Sequence, residues 1–186
     1  PHPALPHQNT HTYPHSAPPA MTLAEILAHL RARANPANVA GMARFGINPV
    51  GSLGVSLPEI RALAGQIGKV GVGTPTYPHA LALQLWATGL HEARILASIV
   101  DDPKQVTEAQ MEGWTADFDS WDVCDQACAN LYERTPFARA KALEWSSRPE
   151  EFVKRAGFVL MARLAGRSKK TPDDPLIAFL PIIRRE

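Results

Sequence analysis

From residue 22 onward, apolar residues recur three and four positions apart, which is the spacing of one face of an α-helix. Thr22 with Glu25, and Ser56 with Glu59, have the spacing of N-terminal capping boxes. No segment alternates apolar and polar residues as a half-buried strand does. The pattern therefore predicts about ten helices of roughly 10–16 residues, joined by short loops. They are expected to begin near Leu23, Pro36, Leu57, Tyr77, Glu92, Glu108, Trp121, Phe137, Pro149 and Asp173.

Short loops place successive helices antiparallel, and each pair then buries its apolar face against the next pair. The chain is thus expected to be all-α, either as a solenoid of helical hairpins or as an irregular helical bundle. The repeats do not align with one another in sequence, so periodicity alone does not separate these two architectures.

Residues 1–20 differ from the rest of the chain, since they contain six prolines, four histidines and no apolar period. Such a segment cannot bury enough apolar surface to order itself. We therefore predict a disordered leader, followed by one domain at residues 21–186. The four histidines have no regular spacing, and no metal site is expected there.

The composition, 45% hydrophobic and 20% charged over 186 residues, is typical of a soluble globular protein. No apolar run reaches the roughly 18 residues of a membrane span, so no membrane association is expected. Cys124 and Cys128 lie four positions apart on one predicted helix. We expect them to be small core residues rather than a disulfide or a zinc site, in keeping with a reducing cytoplasm.

Charge is nearly balanced over the chain, with 19 basic and 18 acidic residues, but it is unevenly distributed. Residues 101–133 contain one base and nine acids, whereas residues 134–186 contain twelve bases and six acids. A helical stack with arginine and lysine along one face could follow a phosphate backbone, although ordinary solvated helix faces have the same composition. The bases considered for phosphate contact are Lys154, Arg155, Arg163, Arg167, Lys169 and Lys170.

Residues 118–126 form the most unusual stretch of the chain. Ser120 is expected to cap a helix, with its hydroxyl accepting from free backbone amides, and Trp121 to open that helix, which runs to about residue 134. Trp121 and Asp125 are four residues apart and therefore project from one helix face, one turn apart. On spacing alone, Trp121 would be a core residue and Asp125 a cap or a partner for an arginine.

The same stretch resembles the DNA alkylation repair family, whose AlkD-type glycosylases are built from HEAT-like helical repeats. The similarity covers roughly residues 22–186 and consists of an ordered set of short segments rather than one motif. These segments are residues 42–47, 85–86, 92–97, 118–126, 131–132, 144–145, 152 and 154–156. The resemblance implies a right-handed α-solenoid of HEAT-like hairpin repeats.

The resemblance also implies hydrolysis of the N-glycosidic bond of N3- or N7-alkylated purines in double-stranded DNA, without flipping of the base. The transition state resembles an oxocarbenium ion on the sugar, which a nearby carboxylate stabilises. Asp125 is the carboxylate expected in this role, and Asp122 is its close rival. Trp121 would present its aromatic face to the cation, and Arg155 would anchor the adjacent phosphate. This chemistry needs neither a metal nor a cofactor.

By the same resemblance, the partner is duplex DNA carrying alkylated bases, and the protein is expected to be a cytoplasmic, nucleoid-associated monomer. Two other functions remain open. One is a non-catalytic protein that binds damaged or branched duplexes, and the other is a helical-repeat scaffold for other proteins. The remaining tryptophans, Trp86, Trp114 and Trp145, are expected in the core.

The last predicted helix, residues 173–186, has apolar residues over more than half of its circumference. Pro181 is expected to kink or interrupt it. Members of the family continue with another helix that supplies an aromatic residue to the site. We therefore expect either a chain truncated at this end or an exposed apolar patch there.

Overall fold

The computed structural model of the protein describes residues 21–67, 78–167 and 177–186. Within these ranges every regular element is a helix, as the apolar spacing predicts, and none is both long and apolar enough to cross a membrane. The α-helices there are α1 (Leu23–Arg31), α2 (Pro36–Arg44), α3 (Leu57–Ile67), α4 (His79–Ala87), α5 (His91–Val100), α6 (Glu108–Ala116), α7 (Trp121–Asn130), α8 (Ala138–Trp145), α9 (Glu151–Arg167) and α10 (Leu180–Arg185). The predicted leader and the predicted helix starts at Tyr77 and Asp173 lie outside the described residues.

Most predicted helix starts are confirmed. Thr22 and Glu25 exchange both hydrogen bonds of a capping box at α1. The Asn35 side chain accepts from the amides of residues 37 and 38 at α2. The prediction for the end of α7 is wrong, because Leu131 leaves the α-helical region at φ −124° and ψ −63°. A 3₁₀ helix, Tyr132–Arg134, follows where a continuous α-helix was predicted.

The helices stack in two layers. In one layer, α3, α5, α7 and α9 pack successively side by side, and α4 and α8 pair with α5 and α9 as hairpins. Tryptophans join the second layer: Trp86 of α4 stacks on Trp114 of α6 with ring centroids 4.0 Å apart. The indole N–H of Trp145 in α8 donates to Glu112 of α6 at 2.9 Å. All three tryptophans are buried, as predicted.

None of the residues of helix α2 is buried, a feature that it shares with α10 among the described helices. Its apolar side chains, which predicted the helix, remain at the surface. Polar contacts hold it, including a hydrogen bond of 2.9 Å from the side-chain Nδ2 group of Asn38 to the Gly54 carbonyl. Gly54 has φ +77°, and a Cβ there would lie 2.3 Å from the Asn35 carbonyl oxygen, so only glycine fits this close approach. The fully buried carboxylate of Glu92 in α5 accepts from the amides of residues 53–55 and anchors this loop.

The last described segment is divided rather than one continuous helix. α10 begins at Leu180 and has Pro181 in its first turn, so this proline starts a helix instead of kinking one. Phe179 is buried, whereas Ile177, Leu180 and Ile183 are each more than half exposed. The apolar surface expected near this end is therefore present within residues 177–186.

Candidate functional site

Helix α7 carries the centre of the candidate site and packs between α5 and α9. Its cysteines face α9, with the Cys124 thiol 3.6 Å from the Phe152 carbonyl and the Cys128 thiol 3.8 Å from the Ala156 carbonyl. Both are free and buried, which confirms that they are core residues. Burial raises the pKa of the Cys128 thiol, so this sulfur stays protonated and serves packing. Small side chains at these positions allow α7 and α9 to approach closely.

Asp125 and Arg155 form a bidentate ion pair across α7 and α9. The Arg155 Nε and Nη2 groups donate to the two carboxylate oxygens of Asp125, each at 2.8 Å. The hydrogen bonds to Asp125 raise the pKa of Arg155, so the guanidinium stays charged. The two side chains are 31% and 40% exposed, so substrate or solvent can reach the pair. The structure therefore contains the pairing of Asp125 with an arginine, which is one of the two roles that spacing alone predicts for this residue.

Trp121 lies beside this pair rather than in the core. The Arg155 guanidinium carbon is 5.5 Å from the centroid of the Trp121 ring, which is a cation–π geometry. The indole N–H donates to the Phe45 carbonyl at 2.9 Å and ties α7 to the end of α2. Trp121 is half-buried, so the expectation of a core residue is wrong at this position. Trp121, Asp125 and Arg155 are therefore brought together by packing of α7 on α9.

Asp122, the rival carboxylate, makes a different set of contacts. It accepts from the Ser120 hydroxyl, the Val123 amide at 2.9 Å and the His91 Nε2 group, which is also 2.9 Å away. Burial would raise the pKa of Asp122, but these hydrogen bonds and the His91 charge outweigh it and lower the pKa. The predicted role of Ser120 is wrong in detail, because its hydroxyl donates to Asp122 and caps no backbone amide. Asp122 thus holds the first turn of α7 against α5.

A groove of about 510 Å³ adjoins Trp121, between α2 on one side and α3, α5 and α7 on the other. Its surface is mainly apolar, and the polar groups of His91, Asp122 and Gln126 reach it from α5 and α7. Phe45 at its rim is 74% exposed. Asp125 and Arg155 do not line it, so the groove and the ion pair meet at Trp121.

The predicted phosphate-binding bases have acidic partners wherever their side chains are described. Lys154 Nζ lies 2.6 Å from a carboxylate oxygen of Glu186. Arg163 Nε lies 2.6 Å from a carboxylate oxygen of Glu133. The Arg167 side chain, Lys169 and Lys170 lie outside the described part of the structure. The Lys154 pair is partly exposed, and ion pairs of this kind contribute about 0–1 kcal/mol, so a phosphate can displace Glu186 at little cost. The Glu133 side chain is only 8% exposed, so the Arg163 pair is not a surface pair of this kind.

Two residues of the site, His91 and Phe45, cannot be identified from local sequence spacing. His91 is 31 residues from Asp122, and Phe45 is 76 residues from Trp121. A histidine at the start of a helix and a phenylalanine at the end of one are ordinary in sequence. Only the packing of α5 and of the loop after α2 against α7 brings them to the site.

Comparison with known proteins gives two matches and one negative result. The family model described as DNA alkylation repair enzyme matches residues 26–179. A search of solved structures finds a protein of "a new family of proteins related to the HEAT-like repeat DNA glycosylases with affinity for branched DNA structures". That match has a TM-score of 0.75 and 20% sequence identity, and it covers 89% of this chain and 67% of the other. A search of curated protein sequences gives no significant match.

The structural match confirms the predicted all-α, HEAT-like fold, which also agrees with the two helical layers described above. The family model covers the hairpins from α1 to the segment before α10, including α7 and α9. The chain therefore belongs to the DNA alkylation repair enzyme family.

Proposed function

We propose that this protein is a DNA glycosylase that hydrolyses the N-glycosidic bond of N3- or N7-alkylated purines in double-stranded DNA. The observation that carries the proposal is the meeting of Trp121, Asp125 and Arg155 on a partly exposed face of α7 and α9. Membership of the DNA alkylation repair enzyme family supports it.

The reaction needs little chemistry from the protein because an alkylated purine already carries a positive charge. The bond between C1′ and the base breaks with its electron pair leaving on the purine, which becomes neutral. Water adds to C1′ and releases a proton. The carboxylate of Asp125 stabilises the positive charge that develops on the sugar, and the Trp121 ring face adds a weaker attraction. No metal or cofactor is part of this proposal.

Arg155 connects the reaction to the DNA backbone. Its Nε and Nη2 groups bind Asp125, which leaves Nη1 to donate to a phosphate oxygen. The same guanidinium thereby fixes the carboxylate and the sugar–phosphate relative to each other. Because Asp125 lies on a surface and not in a deep cavity, the proposal includes attack without extrusion of the base from the duplex. It also includes a monomer acting on the chromosome in the cytoplasm.

Base release from a methylated duplex tests this function. We expect the full chain to release N3-methyladenine or N7-methylguanine well above the rate in buffer, as measured by chromatography of the freed bases. Release at the buffer rate from both lesions would contradict the proposal. Denatured methylated DNA is the control, since a site for duplex DNA should act on it more slowly.

A second candidate function is binding of branched or damaged duplexes without catalysis. The observation that favours it is the bidentate pair itself, because a carboxylate neutralised by an arginine stabilises a sugar cation less well than a free one. The structural neighbour is described as having affinity for branched DNA. Tight binding to a three- or four-way junction without any base release would support this second function.

A further inference from the structure

Apart from Trp121, the residues that line the groove between α2 and the layer of α3, α5 and α7 have no part in the proposed hydrolysis. Its walls are apolar and include Met42 from α2, Ile60 from α3 and Ile95 from α5. Two amide groups in its lining lack hydrogen-bond partners among the described residues: the Nε2 group of Gln126 and the Oδ1 atom of Asn38. The groove thus offers apolar surfaces together with an amide donor and an amide acceptor.

Trp121 belongs to both the groove and the ion pair. It lines the groove, and its ring lies beneath the Arg155 guanidinium. A ligand that places an anion at Arg155 therefore has the groove close by, because Trp121 contacts both. The carboxylate of Asp122 also lines the groove, and its oxygens accept hydrogen bonds from His91 and the Ser120 hydroxyl.

A nucleotide has this combination of groups, since a phosphate is joined through a sugar to a flat base with apolar faces and a hydrogen-bonding edge. We infer that the groove binds one unpaired nucleotide base, at a place where the bound duplex is interrupted by a bulge or a branch. This inference rests on the DNA binding included in the proposed function. Phe45 and Trp121 supply the aromatic surfaces on which an unpaired base stacks. A base already outside the stack needs no extrusion, so the inference is compatible with hydrolysis of paired lesions.

Gly41 offers a way to close the groove without disturbing the fold. It lines the groove within α2, and a Cβ added there meets no atom within 4 Å. Leucine is also a better helix former than glycine, so Gly41→Leu should fold. Gly65 on the exposed side of α3 is the matched control, because its Cβ also meets nothing within 4 Å and it does not line the groove.

The test compares affinity for a duplex carrying one unpaired purine with affinity for the fully paired duplex of the same length. From the usual contribution of base stacking on an aromatic ring, we expect the wild-type protein to prefer the bulged duplex by about tenfold. Gly41→Leu should reduce that preference to about one without weakening binding to the paired duplex, and Gly65→Leu should keep it. The fluorescence of 2-aminopurine at the unpaired position should be quenched by the wild type and by Gly65→Leu only.

Equal affinity of the wild type for the two duplexes, or full preference retained in Gly41→Leu, would overturn the inference. So would equal loss of both affinities in Gly41→Leu, or its change of oligomeric state, since either result would assign the groove to another occupant. Base release from paired alkylated DNA is scored separately. If the preference for the bulged duplex is lost in Gly41→Leu but no base release is detected, the glycosylase proposal is contradicted and the groove inference is supported.

Discussion

At the scale of single residues, the carboxylate of Asp125 is already engaged in the free protein. Both of its oxygens accept from Arg155, so its charge is positioned but partly neutralised. In the proposed reaction, a phosphate bound at Nη1 shares the charge of Arg155, so that Asp125 is neutralised less and stabilises the sugar cation more. The proposed role of the ion pair is therefore to couple the binding of the backbone to the stabilisation of the transition state.

Asp125→Asn keeps the shape of the side chain but removes its charge. We expect release of alkylated purines to fall by about 10²-fold or more, which is the scale of losing one electrostatic stabiliser. Binding to a duplex should stay unchanged or become tighter, because Arg155 loses its carboxylate partner. Single-turnover base release and duplex titration measure the two effects. Glu133→Gln is the control, because it removes the charge of another acid that pairs with an arginine of α9, Arg163, and it should retain release.

The contacts of Asp122 predict that the stability of the fold depends on pH, and that replacing Asp122 affects stability rather than base release. Its pKa is lowered in the folded protein, so its contacts stabilise the fold at neutral pH. This contribution is lost as the pH falls below the unfolded pKa of about 3.9 and through the folded value. We expect Asp122→Asn to lower the free energy of unfolding at neutral pH by about 1–3 kcal/mol, and by less near about pH 3. Urea denaturation at the two pH values measures the difference.

The same variant separates the two candidate carboxylates. If folded Asp122→Asn loses base release while Asp125→Asn retains it, then Asp122 and not Asp125 stabilises the sugar cation. The contacts of Asp122 with Ser120 and His91 make the opposite outcome the expected one.

At the scale of elements, the position of Arg155 depends on how closely α8 and α9 pack. Gly157 lies two residues after Arg155, and a Cβ at Gly157 would approach the Ser146 amide nitrogen at 2.5 Å. That nitrogen belongs to the backbone at the end of α8, so no side-chain movement relieves the contact. Glycine at this position therefore sets the distance between the two helices of this hairpin.

Gly157→Ala should destabilise the protein by about 1–3 kcal/mol, the usual cost of forcing extra volume into a packed interface. Gly166→Ala is the matched control on the same helix, because its Cβ meets no atom within 4 Å. It should be neutral or stabilising by up to about 1 kcal/mol, since alanine favours a helix over glycine. Thermal or chemical unfolding distinguishes the two variants. Equal stability of both would mean that α8 and α9 can separate without cost.

At the scale of the whole molecule, acidic residues of the stretch 101–133 form ion pairs with basic residues of the stretch 134–186. Lys141, buried in α8, lies within 2.8 Å of carboxylate oxygens of Glu108 and Glu112 from α6. These contacts, with that of Glu144, raise the pKa of Lys141 against the effect of its burial. The ion pair of Asp125 with Arg155 connects the same two stretches. The charge contrast along the chain therefore stabilises contacts between repeats, and it does not by itself indicate a basic face.

Binding to DNA should accordingly depend only moderately on salt. Arg155→Ala is expected to weaken binding to alkylated and unmodified duplexes alike, because a phosphate contact carries no sequence information. The slope of log affinity against log salt concentration should shrink by about one ion. Fluorescence anisotropy over a salt series measures it. Arg148→Ala is the control, because Arg148 pairs with nearby Glu150, outside the candidate site, and should leave the slope unchanged. An unchanged slope with a lower Tm in Arg155→Ala would mean that this arginine is structural.

The sequence by itself determined what depends on neighbours within about four residues. Helix type follows from apolar spacing, helix starts from capping residues such as Thr22 and Asn35, and the shared face of Trp121 and Asp125 from their separation. The resemblance of the ordered segments to the DNA alkylation repair family is likewise evident without the tertiary structure. Burial of Trp86 and of the two cysteines followed from composition and position.

Only the tertiary structure decided which distant groups meet. The partners of Asp125, Asp122 and Trp121 outside α7 and its cap lie about 30 to 76 residues away in sequence, and no local period encodes those distances. They are set by how α5 and α9 pack on α7 and by the loop that Glu92 anchors. The same packing decided that Trp121 borders a groove instead of filling the core. Side chains compete for partners across whole interfaces, so their pairing is a property of the packed helices and not of any one segment.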